Sequence, residues 1–242
     1  MSANKVRIRF SKTGDLRFLS HHDLLRLWER MLRRAALPFR SSEGFHPMPR
    51  LSLASALGLG IAGREEVAEL ELNEELAAEE MERRLAEQAP PGLRIASITK
   101  IERRQTAQVR RACYRLPLRA AEHPELRERI DGVLAAADCW VERTKPHHRR
   151  INIRPFIRGL ALAEDGLVMD FAVTPQGTVR PEEALRLLGL ENLTANGAIL
   201  ERTLVELEED NSGPSENQVR WERTGEASFA PADRATETRG DQ

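Results

Sequence analysis

The chain has 242 residues, of which 40% are hydrophobic and 31% are charged, and its formal net charge is −1. This composition is typical of one large or two small globular domains, and no apolar stretch reaches the roughly 20 residues that cross a bilayer. Cys113 and Cys139 are too few for an iron–sulfur cluster, which takes about four thiolates. The first residues lack the apolar segment of a secretion signal, so we predict a cytoplasmic protein with no membrane partner.

The first half of the sequence predicts the order strand, helix, strands, helix, strand. Residues 6–10 alternate apolar and basic side chains, as a half-buried strand does. Ser20 is the predicted N-cap of a helix with Asp23 in the capping pattern, and we expect Pro38 to end this helix. Further strands are predicted at 39–42, 51–53, 67–72 and 93–101, with an acidic helix over 74–88.

The second half repeats this order without similarity at the level of residues. Strands are predicted at 113–118, 141, 151–153, 160–162, 167–173 and 198–207, with helices over 123–137 and 181–188. We therefore predict an α+β fold of two ferredoxin-like (split βαβ) units with antiparallel sheets, over residues 1–108 and 109–207.

The end of the chain has a different composition. Residues 208–242 are polar and acidic and offer little apolar surface to bury. We predict a disordered C-terminal tail, because such a segment cannot offset the entropy lost on folding. The alternative is a tail that binds a partner through Trp221.

The small net charge hides a strong segregation of charges along the chain. Residues 1–58 contain 11 basic and 4 acidic side chains, residues 59–88 contain 3 and 10, and residues 89–119 contain 8 and 1. Residues 141–158 are again basic, with 6 and 1. Either these blocks form separate solvated faces, or they converge into one positive surface that binds phosphate or nucleic acid.

The first candidate anion site lies at the start of the predicted first helix. Its residues are Arg17, Ser20, His21 and His22. Free backbone N–H groups and the helix dipole attract anions to such an end. The alternatives are a capped helix with solvent-exposed histidines, or a two-His, one-carboxylate metal site made of Asp23, His46 and either His21 or His22. The metal site is disfavoured because a histidine and an aspartate two residues apart on a helix do not share a face.

The second candidate site is the loop over residues 41–50, with Phe45, His46 and Arg50 as its candidate residues. Arg33 and Arg34 of the preceding helix are further candidate anion-binding residues. Gly44 permits a turn, and Pro47 and Pro49 stiffen it, so an aromatic ring beside basic groups could stack on a base or bind phosphate. The alternative is a rigid turn with Phe45 buried.

The third candidate site is a basic loop that leads into a strand. Its residues are Arg149, Arg150 and Arg154. Arginines on a loop can reach phosphates while the strand holds the loop in place. A simple solvated loop would account for the same sequence.

Motifs of common enzyme classes are missing from the sequence. There is no GxxxxGK[ST], no GxGxxG after a strand and no GxSxG, so nucleotide hydrolysis, dinucleotide binding and α/β-hydrolase chemistry lose their usual support. We predict no catalytic residue, no resident metal and no cofactor, and expect a protein that is not an enzyme. An enzyme that uses His21, Asp23 and His46 is an alternative, and it requires these side chains to meet in one pocket.

Several stretches of the sequence resemble the radical SAM-linked protein family of bacteria. They are residues 17–24 (RFLSHHDL), 33–35, 37–38 and 42–47 with Pro49, and weaker signals lie at 154–155 and 180–183. The chain departs from the family pattern at His22, where a hydrophobic residue is usual, and at His46, where asparagine is usual. The resemblance implies association with a radical SAM protein that is encoded beside the family member or fused to it.

These observations predict a non-catalytic accessory module of a radical SAM enzyme. The charge segregation favours an anionic substrate, either RNA or another phosphate-bearing molecule, as a binding partner. The alternative to substrate binding is a protein–protein adaptor for the radical SAM protein, whose mark would be an exposed apolar patch.

Overall fold

The computed structural model describes residues 4–144, 147–163 and 165–209. Within these ranges the protein has a mixed α+β fold with a mostly antiparallel eight-stranded sheet, a two-stranded hairpin and five helices. The strands are β1 Asn4–Lys12, β2 Leu51–Leu53, β3 Ala62–Leu72, β4 Leu93–Ile101, β5 Val109–Leu116, β6 Trp140–Arg143, β7 Arg149–Asn152, β8 Ile157–Ala163, β9 Gly166–Ala172 and β10 Glu201–Leu207. The helices are α1 His21–Arg34, α2 Ala78–Gln88, α3 Leu126–Ala135, α4 Pro181–Leu187 and α5 Glu191–Ala195.

The first half of the sheet has the strand order β4-β1-β3-β2, and each neighbouring pair is antiparallel. Helices α1 and α2 pack against one face of these strands through a hydrophobic cluster that includes Ile8, Phe10 and Leu85. Trp28 of α1 is fully buried, and its ring meets the Phe10 ring edge-on with 5.1 Å between centroids. This packing fixes which side of α1 faces the solvent.

The second half of the sheet has the order β10-β5-β9-β8, again with antiparallel neighbours. Its own hydrophobic cluster includes Tyr114, Phe171 and Leu185 and draws on α3 and α4. The hairpin β6–β7 interrupts the chain between α3 and β8 and forms a separate sheet.

The two halves join where β10 runs parallel to the start of β3. Arg202 of β10 is buried there, and its guanidinium binds the Glu66 carboxylate of β3 and donates to the Ala56 carbonyl at 3.1 Å. Lys12 is buried beside this pair, and burial lowers the pKa of its ammonium group. Its Nζ donates to the Leu19 carbonyl at 3.4 Å, which ties the segment before α1 to the junction.

Most predicted elements are present, with shifted ends. α1 begins where the capping pattern predicted, since the Ser20 hydroxyl accepts from the Asp23 backbone N–H at 3.2 Å. The helix ends at Arg34, before Pro38, because Ala36 turns the chain with a positive φ of 48°. The predicted strand at 39–42 is wrong, because this segment makes only isolated bridges.

Other differences concern the second helix and the segment that follows the fourth helix. α2 begins at Ala78 and not at residue 74, and α5 was not predicted. The two predicted sheets form one continuous sheet, while the predicted boundary between residues 108 and 109 stays a prediction. Of the predicted disordered tail, Glu208 and Glu209 form a turn, and residues 210–242 with Trp221 lie outside the described residues. No described helix is both long and apolar enough to cross a membrane.

Candidate functional site

α1 carries a row of basic side chains on the side away from the sheet. We call this row the α1 basic stripe; its residues are His22, Arg26, Arg30, Arg33 and Arg34, all exposed. The first four follow at intervals of four, four and three residues, so they share one helix face. The buried side chains of the same helix lie between them in sequence, at Leu24, Trp28, Met31 and Leu32. The apolar packing of α1 therefore presents its arginines to solvent.

Two arginines of the stripe, Arg30 and Arg34, have no acidic partner among the described residues. Asp23 lies 3.6 Å from Arg26, and Glu29 lies 2.9 Å from Arg33. Over the described ranges, the side chains of Arg30 and Arg34 make no hydrogen bond or ion pair. Their charges are therefore available to an anionic partner, and exposure keeps them fully hydrated and mobile until one binds.

The start of α1 is already occupied by its own side chains. The Ser20 hydroxyl accepts from the Asp23 N–H and donates to the Asp23 carboxylate at 2.7 Å. A carboxylate in the first turn satisfies the helix dipole, so this end attracts a further anion less. Arg17 donates to the Gly14 carbonyl at 2.8 Å, and its guanidinium lies 4.1 Å from the ring centroid of Phe18.

The end of α1 meets the loop that carries Phe45. We call residues 41–50 the Phe45 loop; it is closed by a bridge between Ser41 and Pro49. Arg33 donates to the Pro47 carbonyl at 3.1 Å, which fixes the loop to the helix. The Phe45 side chain is fully exposed, in contrast to the alternative in which it is buried. An aromatic ring thus projects into solvent beside the α1 basic stripe.

The structure does not bring the predicted histidine and aspartate groups together. His21 and His22 lie side by side at the start of α1, with 5.9 Å between ring centroids. His46 belongs to the loop at the other end, and the 12 residues from His21 to Arg33 span about 18 Å of helix. No group of three potential metal ligands occurs among the described residues. The geometry therefore gives no support to the acid–base or metal alternative.

The remaining predicted residues have separate surroundings. Arg50 lies 3.6 Å from Glu71, which partly neutralises it. Arg149 and Arg150 are exposed on β7. Arg154 instead has a structural role, because its guanidinium donates to the carbonyls of Leu134 and Ile157 at 2.6 and 3.1 Å.

A second set of arginines is neutralised within the sheet. We call this set the sheet ion-pair network; its residues are Lys5, Arg7, Arg110, Arg111, Arg158, Glu69, Asp170 and Glu206. Arg111 lies 2.8 Å from Asp170 and 3.5 Å from Glu206. Burial opposes the charge of Arg111, yet the bond to Asp170 and the nearby carboxylates raise its pKa. The network therefore takes up two of the 11 basic residues at 1–58 and two of the 8 at 89–119.

A cleft of about 410 Å³ lies between the two halves. Three exposed apolar side chains line it, namely Phe18 (56% exposed), Leu59 (68%) and Ile199 (40%). They come from three distant parts of the sequence, so the chain order gave no signal for this patch. It is the kind of exposed apolar surface that an adaptor would use.

The predicted site residues did not include Arg26, Arg30 and Trp140. Helical spacing places Arg26 and Arg30 off the apolar side of the helix together with Arg33 and Arg34, but the predicted binding residues included only the last two. Trp140 carried no such signal, because the alternation of a short strand does not tell which face meets the core.

Comparisons with known proteins give one family match. Residues 5–181 match the family DUF2344, described as "Uncharacterized protein conserved in bacteria". No curated protein matches the chain. A crystal structure of an unknown protein from Galdieria sulphuraria is similar at 10% identity over 84% of this chain and 99% of that chain, with a TM-score of 0.27. A TM-score this low supports no conclusion about the fold, and the association with a radical SAM protein stays a prediction.

Proposed function

The chain belongs to the DUF2344 family of conserved bacterial proteins, and from this premise we propose that it is a non-catalytic module that binds RNA through the α1 basic stripe. The observation that carries the proposal is the pair Arg30 and Arg34, exposed and without acidic partners among the described residues, close to the loop that projects Phe45. Phosphate groups release counterions when arginines bind them, and this supplies the affinity.

The α1 basic stripe fits the backbone of a nucleic acid. Side chains three or four residues apart on a helix lie about 5–6 Å from each other, so the stripe offers a linear series of guanidinium groups from Arg26 to Arg34. Arg33 lies 5.5 Å from the ring centroid of Phe39 and also holds the Phe45 loop in place. The exposed Phe45 ring adds a surface on which a base can stack.

We interpret the fold as two ferredoxin-like units side by side. The strand orders β4-β1-β3-β2 and β10-β5-β9-β8 support this, because each places the last strand of its half beside the first, followed by the third and the second. In the second half this reading treats the β6–β7 hairpin as an insertion. The proposed units would meet at the parallel pairing of β3 with β10.

The test of RNA binding compares two double variants with the same change in net charge. Arg30→Gln with Arg34→Gln removes the unpaired charges of the stripe, whereas Arg110→Gln with Arg158→Gln removes two half-exposed charges of the sheet ion-pair network. In filter binding with labelled RNA, we expect the first variant to lose about tenfold in affinity and the second to stay within about twofold, since phosphate contacts are local. Equal losses would mean that net charge alone governs binding.

We propose a second function for the apolar cleft, namely docking of the radical SAM protein implied by the family resemblance. The support is the cluster of exposed apolar side chains across the two halves. The test is co-purification with a radical SAM protein of the kind that the resemblance implies as a partner. Ile199→Ser should reduce recovery, whereas Met48→Ser should not, because Met48 is equally exposed at 40% but lies in the Phe45 loop. Full recovery with Ile199→Ser and Leu59→Ser combined would remove this candidate.

A further inference from the structure

The β6–β7 hairpin displays a tryptophan that the α1 basic stripe does not explain. Trp140 is 49% exposed, whereas Trp28 is fully buried in the core. A large aromatic ring that is half exposed is typical of a binding site, because burying its apolar surface against a partner is energetically favourable. The question is which partner the neighbouring groups select.

Contacts on one side of the hairpin fix it to the second half of the protein. The Arg143 side chain donates to both carboxylate oxygens of Glu183 at 2.7 Å and to the Thr178 carbonyl at 2.7 Å. This ion pair is buried, so it is costly to break. Val141 and Ile151 on the same side pack with the core of the second half. The anchoring leaves the opposite side of the hairpin, with Trp140, preformed for contact.

Asn152 provides a second anchor next to Trp140. Its side-chain oxygen accepts from the backbone N–H groups of Cys139 and Arg154 at 2.9 and 3.1 Å, and its amide donates to Asp138 at 2.6 Å. Asn152 is also the cross-strand neighbour of Trp140. The backbone on both sides of the tryptophan is therefore fixed by hydrogen bonds.

One arginine lies over the tryptophan ring. The guanidinium of Arg150 lies 4.8 Å from the ring centroid of Trp140, within cation–π distance. Glu142 shares this side of the hairpin and lies 3.5 Å from His148, whereas Arg149 is opposite Arg143 and belongs to the other side. An aromatic ring bordered by an arginine complements a base attached to a phosphate.

We propose that Trp140 and Arg150 form a stacking site for an unpaired base, so that the RNA bound by this protein is single-stranded. The inference rests on the proposed function and names the class of RNA. A base within a duplex is already stacked on its neighbours, whereas an unpaired base can lie against an indole ring. Arg150, which lies beside the ring, then contacts an adjoining phosphate.

The charges favour RNA over a protein or a lipid surface. A protein hot spot of this kind would pair the tryptophan with further apolar side chains, yet the exposed neighbours on the hairpin are Arg149, Arg150 and Glu142. A membrane-binding site would need a larger apolar face next to the basic groups. A nucleic-acid strand can contact the aromatic ring through a base and the basic groups through its phosphates.

The experiment measures binding of the full chain to two RNAs by fluorescence anisotropy. One is a single strand of about 12 nucleotides, within the usual site size for such surfaces, and the other is a blunt duplex of the same sequence. The variants are Trp140→Ala, Trp140→Phe and the control Gln108→Ala, which shortens an exposed side chain outside the hairpin, the α1 basic stripe and the apolar cleft. Thermal unfolding checks that each variant is folded.

The expected result is a selective loss. Trp140→Ala should weaken binding of the single strand about tenfold, Trp140→Phe should restore most of it, and duplex binding should change less than about twofold. If Trp140→Ala binds the single strand like the wild type while Arg30→Gln with Arg34→Gln binds it weakly, the stacking site is wrong and the proposed function stands. Equal losses on both RNAs would also overturn the stacking site, and no binding of either RNA by the wild type would overturn both proposals.

Discussion

Two parts of this molecule are rich in arginine, the sheet ion-pair network and the α1 basic stripe, and they use it differently. In the network, the guanidinium of Arg111 is buried between Asp170 and Glu206. In the stripe, Arg30 and Arg34 are exposed, and neither forms an ion pair with any residue that the structure describes. The first set is therefore committed to the fold, and the second is available for a partner.

The difference between the two sets comes from secondary structure. Neighbouring strands place side chains directly opposite each other, so Arg7 on β1 faces Glu69 on β3 and the two form an ion pair at 2.8 Å. A helix on the surface has no such partner across its outer face. Charge counted along the sequence therefore overestimates the positive surface wherever basic residues lie in strands.

The largest expected effect is on stability, from a change in the network. Arg111→Ala leaves the buried carboxylate of Asp170 without its main partner, and we expect the free energy of unfolding to fall by about 3–5 kcal/mol. Arg30→Ala on α1 should change it by less than about 0.5 kcal/mol, because exposed residues without partners contribute little. Denaturant unfolding measures both, and similar losses for the two variants would contradict the distinction.

A smaller effect separates the two ends of α1. Ser20→Ala removes the N-cap and should destabilise the protein by about 1 kcal/mol. If the arginines further along the helix carry binding, the affinity for RNA should stay within about twofold of the wild type. A tenfold loss of affinity in this folded variant would move the anion site to the helix start, where Arg17, His21 and His22 lie.

The smallest effect is a change in stability with pH that arises from the Cys113 thiol, which lies beside Asp170 of the sheet ion-pair network. Burial, followed by the charge of Asp170, raises the pKa of Cys113 from 9.0 to about 12. Above pH 9 the unfolded chain loses the thiol proton while the folded chain keeps it, so stability falls as the pH rises from 9 toward 12. Compared with Cys113→Ala, the wild type should lose about 0.8 kcal/mol more between about pH 7 and pH 9.5. Parallel pH profiles for the two proteins would contradict this.

Local patterns in the sequence predicted much of the secondary structure. The alternation in β1, the cap of α1 and most of the later strands followed from side-chain period and capping chemistry, which act over a few residues. The end of α1 did not, because Ala36 adopts a positive φ that a residue with a Cβ seldom takes. The pairing of β3 with β10 joins residues about 140 positions apart, and no local pattern encodes it.

The candidate site was only partly accessible from the sequence. Arg33, Arg34 and Phe45 were predicted as candidate residues, but the contact of Arg33 with Pro47 that brings the helix end to the loop was not predicted. Arg154 could not be distinguished from Arg150, since its partners are backbone carbonyls brought close by the fold. Predicting which basic residues stay unpaired requires knowing what lies across the neighbouring strands.

The central claim is that the unpaired arginines of α1 hold phosphate, and the salt dependence of RNA binding tests it most directly. The affinity of the wild type, of Arg30→Gln with Arg34→Gln, and of Arg110→Gln with Arg158→Gln is measured over a range of salt concentrations. The stripe variant should show a logarithmic slope shallower by about 1.4, which corresponds to two lost phosphate contacts on a single strand, while the network variant keeps the slope of the wild type. An unchanged slope in the stripe variant would contradict the account.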